Sequence, residues 1–308
     1  MKSILVVGSV ALDSVQTPEG ASNEALGGSA VYFSLAAKHF AQVRMVGVVG
    51  EDFPKEHRAM LETHDIDTAG LTEVAGKTFR WEGKFDKKFD VAQTLATHLN
   101  VFETFRPELN GDQKDASVLF LANIDPELQM DVLSQMKGPK IVAADTMNFW
   151  IDSKLPALKE LLSRVDILFV NEEEAKQLAG DSNNVRAAKK LAKSGPSVVV
   201  IKKGEHGALL YAGGDVYPIP AFPTDEVKDP TGAGDSFAGG FMGCLSTSMD
   251  LKDVASLKRA MSYGAAMASW NVQGFSTCKL EELTREQLDE RQRAYVDLLS
   301  IEGQPAGV

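Results

Sequence analysis

The chain repeats one pattern that leaves few folds open to it: short, unbroken apolar runs, most of them followed by a segment with helical spacing. Ile4-Leu5-Val6-Val7 stops at Gly8, and similar runs span Val43 to Val49, Val118 to Ala122, Lys140 to Ala144, Ile167 to Val170 and Ser197 to Ile201. A strand with one wet face alternates polar and apolar residues. These runs do not alternate, so each is expected to be covered on both faces, as in a parallel sheet between helix layers. Helices are expected from Pro126 to Met136, Leu155 to Leu162 and Leu257 to Trp270. The fold class is therefore α/β. With 308 residues, 44% of them hydrophobic, the chain can bury a full core as one large domain with an appendage or as two domains.

Two stretches break the alternation. Thr78 to Phe102 is polar and aromatic, with alternation from Thr78 and a second strand-like run from Thr94 to Val101, and it reads as a small β appendage. Gly76-Lys77-Thr78 invites comparison with the Gly-x4-Gly-Lys-Thr phosphate loop. The preceding glycine, Gly70, is one residue too far away, no apolar strand leads in and no helix follows, so that loop is rejected.

The second break runs from Asp229 to Phe241, where a polar loop becomes a helix through Gly232-Ala233-Gly234-Asp235. Phe237, Phe241 and Leu245 give the helix one buried stripe, and it is expected to start near Ala233. The first amides, from Gly232 to Asp235, lack partners inside the helix and sit at the positive end of its dipole, which makes them an anion cradle. The same dipole is expected to keep Asp235 ionised and weakly basic. Gly239 and Gly240 cost about 1 kcal/mol each against alanine, so the helix is expected to press against a sheet there.

In an α/β sheet, ligand groups collect beyond strand C-termini. Asp13, Asn123, Asp145 and Asn171 fall at such ends, and so does Lys202-Lys203-Gly204. Each also has a plain role as a turn or cap residue. Asn171-Glu172-Glu173-Glu174 in particular has the form of a capping box.

A net charge of -11 and a pI near 5.0 argue against nucleic-acid or anionic-membrane binding and leave small molecules as the expected partners. Cys244 and Cys278 are the only cysteines. They have no metal-ligand spacing and no disulfide framework, which suits a reducing compartment. No apolar run reaches the roughly 20 residues of a membrane span. The apolar start has no small-residue cleavage site, so a cytoplasmic protein is expected. A Gly-x-Gly-x-x-Gly turn does not follow the first strand, which speaks against a dinucleotide oxidoreductase.

Asp229-Pro230 together with Gly232-Ala233-Gly234-Asp235 resembles, nearly letter for letter, the C-terminal signature of the ribokinase-like (PfkB) family of carbohydrate and nucleoside kinases. Gly27-Gly28 resembles the family's N-terminal di-glycine. The resemblance implies a three-layer α/β/α domain with a central, mostly parallel sheet and a small β lid. That single kinase domain would span 1–308, with the lid built from about 11–26 and 76–103.

For function it implies an ATP-dependent phosphotransferase acting on a hydroxyl of a sugar or sugar-like molecule. Asp235 would be the general base and the amides of Gly232, Ala233 and Gly234 the anion hole. Substrate contacts would come from Asp13, Gly27, Gly28, Ser29, Tyr32, Arg80 and Asn123, with Trp81 and Asn100 as further lid residues. Nucleotide contacts would come from Asn171, Lys203, Gly204, Gly207 and Gly274. Glu174 would act on Mg2+ through water, and Asp229 with the Thr231 carbonyl would hold a monovalent cation, K+. A homodimer through the lid belongs to the same set of implications.

Departures from the family pattern bear on the substrate. Tyr32 stands where many sugar kinases carry Asn, Ser29 where ribokinases carry Lys, and Asp145-Thr146-Met147-Asn148 where Asp-Pro-Asn is common. The alternative within the fold is an adenosine-type nucleoside kinase, with a base stacked on Tyr32, Phe33 or Trp81. The alternative of another class is a non-catalytic sugar-binding regulatory protein, against which Asp235 and the intact glycines speak.

Overall fold

The computed structural model describes residues 3–87, 89 and 92–300. First in the chain come β1 (Ser3–Val7), β2 (Ala11–Thr17), β3 (Gly20–Gly27), α1 (Ser29–Ala37), β4 (Gln42–Gly50), α2 (Lys55–Thr63), β5 (Ile66–Val74), β6 (Phe79–Lys84) and β7 (Gln93–His98). The middle holds α3 (Gly111–Lys114), β8 (Val118–Leu121), α4 (Pro126–Gln135), β9 (Ile141–Asp145), α5 (Asn148–Ser153), α6 (Leu155–Leu162), β10 (Ile167–Asn171), α7 (Glu172–Ala179) and α8 (Asn184–Ala192). The chain closes with β11 (Val198–Lys202), β12 (Ala208–Ala212), β13 (Asp215–Ile219), α9 (Ala233–Leu245), α10 (Val254–Asn271), α11 (Cys278–Glu282) and α12 (Arg285–Leu299).

The unbroken apolar runs form the middle of a nine-stranded sheet in the order β13-β12-β11-β10-β9-β8-β1-β4-β5. It is parallel from β5 to β11 and antiparallel at β12 and β13. One face packs on α1, α2 and α9 to α12 through Val6, Phe120, Phe169 and Val200. The other packs on α4 to α8 through Val7, Leu121, Val170 and Ile201. The three expected layers are present.

The sheet's two edge strands are not marked by apolar runs. β5 buries Ile66, Thr68 and Leu71 but exposes Ala69 and Glu73, and β13 is exposed or half-buried throughout. An edge strand needs no continuous apolar run. β5 also leads into Gly76, contrary to the sequence expectation, but the strand β6 follows it, so no phosphate-loop helix forms there.

Gly239 and Gly240 press on helices, not on the sheet that the sequence suggests. A Cβ on Gly239 would lie 2.5 Å from the Phe33 carbonyl of α1, and one on Gly240 would lie 2.9 Å from the Tyr263 carbonyl of α10. It is Phe241 that reaches the sheet, edge-on to Phe169 at 5.3 Å. α9 is therefore wedged between two helices with its N-terminus at the strand ends.

A second, four-stranded sheet in the order β3-β2-β6-β7 forms the lid. Its strands lie within residues 11–27 and 79–98, and residues 88, 90 and 91 lie outside the described residues. β2 and β6 pair in parallel and the outer pairs are antiparallel. The second lid strand stops at His98, short of the expected Val101. Asn100 then turns with φ 51° and donates from its side chain to the Thr78 carbonyl at 2.9 Å.

Candidate active site

The site is assembled from the mouth of α9, the C-terminal ends of β9, β10 and β11, and the inner end of the lid. Gly232 caps α9 with φ 75°, a left-handed conformation, and a Cβ there would meet the Tyr32 ring at 2.4 Å. Only glycine suits both constraints. Asp229 shapes the approach by accepting from the N–H of Thr231 at 2.9 Å and of Ser276 at 3.4 Å.

The cradle is narrower than the sequence suggests. The N–H of Ala233 bonds to the Pro230 carbonyl at 3.1 Å because the Asp229-Pro230 turn closes on it. The N–H of Asp235 faces its own carboxylate. Among the described residues no acceptor takes the N–H of Gly232 or Gly234, so these two are the open donors.

Asp235 is half-buried in the first turn of α9. Burial and the charge of Asp145 raise its pKa to about 7, against the pull of Lys202 and of its own N–H. The expectation of a weakly basic carboxylate is thus corrected, because desolvation and a like charge outweigh the helix terminus.

Asp145 and Lys202, which the sequence places separately at strand ends, form an ion pair beside the mouth of α9. Lys202 Nζ lies 2.6 Å from Asp145 Oδ2 and 3.1 Å from where a Cβ on Gly234 would sit. Period-two counting along β11 carries the signal. Val198 and Val200 belong to the core cluster that contains α9, while Val199 and Ile201 belong to the other. Lys202 therefore shares the α9 face and Lys203 does not. Lys203, expected at the nucleotide, carries a charge felt by Glu172. Burial pulls the pKa of Lys202 down, but Asp145, Glu174 and Asp235 together hold it above the usual lysine range.

Glu174 is buried, and its carboxylate accepts from the backbone N–H of Asn171 at 2.7 Å and from its side-chain amide at 2.6 Å. Asn171 accepts in turn from the Glu174 N–H at 2.8 Å. The capping box is real, and it occupies the polar atoms of Asn171. Burial and the charges of Asp145 and Asp235 raise the Glu174 pKa to about 7, against Lys202 and the Asn171 N–H.

On the lid side, Asp13 rests on Gly27, where a Cβ would fall 1.9 Å from its Oδ2, and it receives the Gly28 N–H. Burial and the charges of Asp229 and Asp235 raise its pKa to about 7. The charge of Asp235 on α9 therefore reaches the lid carboxylate. Trp81 sits beside Asp13 in the register of β2 and β6.

Other expected contacts are engaged elsewhere. Ser29 is tied to Ser9 by reciprocal bonds of 3.2 and 3.0 Å. Tyr32 is buried under Gly232, and Phe33 is buried and stacked on Phe120 at 4.0 Å, so neither presents a face to a base. Arg80 bridges Glu24 at 2.7 Å and Asp52 at 2.8 Å, bracing the lid. Asn123 accepts from the Trp150 indole at 3.0 Å. Gly28 has φ 100° and would otherwise strike the Ser9 carbonyl, and Gly207 would strike that of Ile219. Gly204 turns with φ 55°, and Gly274 packs on Lys279.

The donor set suits a metal held mainly by water and phosphate. Asp145, Glu174 and Asp235 face a single cation, Lys202, which leaves uncompensated negative charge. That is the arrangement Mg2+ accepts, with few carboxylates and several waters. The expected monovalent-cation site is different. N–H donors face the Asp229 carboxylate, and the Asn271 amide donates to the Thr231 carbonyl at 2.7 Å. Hydrogen bonds engage both groups there. Among the described residues no helix is long and apolar enough to cross a membrane.

Known proteins resemble this chain in sequence and in fold. A family model described as pfkB family carbohydrate kinase matches residues 1–283. The cytidine kinase of Thermococcus kodakarensis is 31% identical over 281 residues, covering 88% of this chain and 99% of that protein. The nucleoside kinase of Methanocaldococcus jannaschii, an archaeal member of the ribokinase family, superposes with a TM-score of 0.77 at 22% identity, over 96% of this chain and 99% of that one. A ribokinase II from E. coli, solved with ATP and Mg2+, gives a TM-score of 0.77 at 17% identity over 96% and 100%.

Proposed function

Because the chain belongs to the pfkB family of carbohydrate kinases, we propose that it transfers the γ-phosphoryl group of ATP to a hydroxyl of a nucleoside. Asp235 acts as general base, and the amides of Gly232 and Gly234 act as the anion hole. The observation that carries this reading is the mouth of α9, where the half-buried Asp235 stands in the first turn beside the unbonded N–H groups of Gly232 and Gly234 and where its charge also reaches Asp13 of the lid. A substrate hydroxyl placed between Asp13 and Asp235 has a carboxylate to hold it and a carboxylate to take its proton. The similarity to a cytidine kinase along nearly its whole length supports a nucleoside over a free sugar. Trp81, in register beside Asp13, is the aromatic residue left for a base, with its indole N–H on Thr94 at 3.2 Å and its ring over Gly83.

In the step itself, the substrate oxygen bonds to the γ-phosphorus. The bond from phosphorus to the β,γ-bridging oxygen breaks with its electron pair leaving on ADP, and the hydroxyl proton passes to Asp235. Such transfer is mainly positioning and charge stabilisation. The Gly232 and Gly234 N–H groups aim at oxygens that gain charge. Asp13 orients the acceptor, and the lid excludes water. Mg2+, when bound, neutralises phosphate charge, and Glu174 would hold one of its waters.

The reading is tested by product formation from MgATP across cytidine, uridine, adenosine, inosine, ribose, fructose and inositol. A nucleoside is expected to give the highest kcat/KM. A free sugar outperforming every nucleoside would overturn the substrate assignment, and no phosphorylated product from any alcohol would overturn the kinase reading for this site.

Two variants separate the roles. Asp13→Asn removes a charged hydrogen-bond acceptor worth about 1.5–3 kcal/mol, so the KM of the alcohol should rise roughly 10–100-fold with a smaller change in the KM of ATP. An equal rise in both would contradict the assignment. Glu174→Gln keeps the capping box, since Gln serves at that position, but loses the charge. The Mg2+ concentration for half-maximal rate should then rise about 10-fold or more in a variant that still folds, although Gln no longer accepts from both Asn171 donors, and an unchanged Mg2+ requirement would remove Glu174 from the metal's surroundings.

A further inference from the structure

We infer that Lys202 is a catalytic residue for this transfer: its ammonium, held in place by Asp145, donates hydrogen bonds to the γ-phosphoryl oxygens at the mouth of α9. The inference rests on the kinase reading above and adds to it a charged donor beside the two open amides.

Three observations point the same way. Lys202 Nζ is 2.6 Å from Asp145 Oδ2 and would be 3.1 Å from a Cβ on Gly234, so it stands at the anion hole. An ammonium carries three N–H donors, and among the described residues Asp145 is the one acceptor Lys202 meets. A largely buried ammonium with unused donors is costly unless a ligand takes them. Of the pair, the lysine is the outer member, with 17% of its side chain exposed against 4% for Asp145.

Asp145 is built as a fixed support. Its Oδ1 accepts the Thr146 N–H at 2.8 Å. Its carbonyl takes the Gln129 amide, which also bonds the carbonyls of Leu121 and Ala122, so the ends of β8 and β9 are held together. Charge makes the lysine necessary. Without it, a phosphoryl group would enter among Asp145, Glu174 and Asp235 with no cation of the described residues set against them. Lys202 keeps its protons throughout. The bonds made and broken are those of the transfer described above, and the hydroxyl proton still goes to Asp235.

Lys202→Met alone strands a buried carboxylate and can fail to fold, so the decisive variant is the neutral pair Lys202→Met with Asp145→Asn. Its kcat with the best alcohol of the panel should fall about 100-fold or more. By calorimetry its preference for MgATP over MgADP should shrink about tenfold, because the γ-phosphoryl contact is lost. Lys202→Arg should recover most of both. If Lys202 only balances Asp145, the neutral pair will keep the wild-type kcat and the wild-type ATP-over-ADP preference, which overturns the inference. Should the neutral pair not fold, an unchanged ATP-over-ADP preference in Lys202→Met would overturn it equally. A wild-type protein that binds MgATP more tightly than MgADP but phosphorylates nothing would sink the kinase reading instead and leave the calorimetric comparison to decide the lysine.

Discussion

Asp235→Asn is expected to lower kcat/KM about 10^3-fold while leaving the affinity for MgATP within about threefold, since a positioned general base contributes roughly 10^2–10^4. The substitution keeps size and helix position and removes only the acceptor for the hydroxyl proton. In the wild type, kcat/KM should rise with pH through the region near 7, because the base works only when ionised and its pKa is raised to about 7. Asp13 and Glu174 are also raised to about 7, so the limb reports coupled groups rather than one proton.

Stability provides the control. The folded-state pKa of Asp235 lies above its ordinary value of 3.8, so the native state binds more protons than the unfolded state between the two values. Stability is therefore lost as pH rises through that window. A neutral side chain escapes this loss, and the Asn variant should melt no lower than wild type at pH 8. A variant that is inactive because it is unfolded would be recognised at once.

Gly232→Ala is expected to damage both stability and turnover. The residue has φ 75°, and its Cβ would fall 2.4 Å from the Tyr32 ring. The left-handed conformation costs an L-residue about 1–2 kcal/mol, and forcing a methyl against a packed ring adds about 1–3 kcal/mol. Relief comes by shifting the loop, which moves the Gly232 and Gly234 N–H groups off their target. Losing one such donor costs about 10^2–10^3 in kcat, so a fall of that size is expected together with a melting temperature lowered by several degrees. A variant with the wild-type melting temperature and rate would show that the loop is not pinned by Tyr32 and that the amides do not act from this position.

Much of this was legible in the sequence wherever one physical demand dominates. Strands buried on both faces must be continuously apolar, and β1, β4, β8, β9, β10 and β11 lie within a residue or so of their runs. The glycines and acid at the mouth of α9 are readable because close approach and left-handed backbone admit few residues. Edge elements were not readable, because β5 and β13 satisfy no single demand. Long-range pairings were also hidden. Asp145 and Lys202 lie 57 positions apart, and nothing local in either segment announces the other. Ser29, Arg80 and Asn123 show the converse. Their chemistry suits a ligand, but each has a structural partner that composition cannot reveal.

The most direct measurement is a structure of the protein with ADP, Mg2+, aluminium fluoride and the best alcohol of the panel. Planar fluoride marks where the transferred group sits in flight. It is expected about 3 Å from the Gly232 and Gly234 N–H groups, with the alcohol oxygen in line and facing Asp235. Fluoride bound away from the mouth of α9, or an alcohol oxygen turned away from Asp235, would contradict the account.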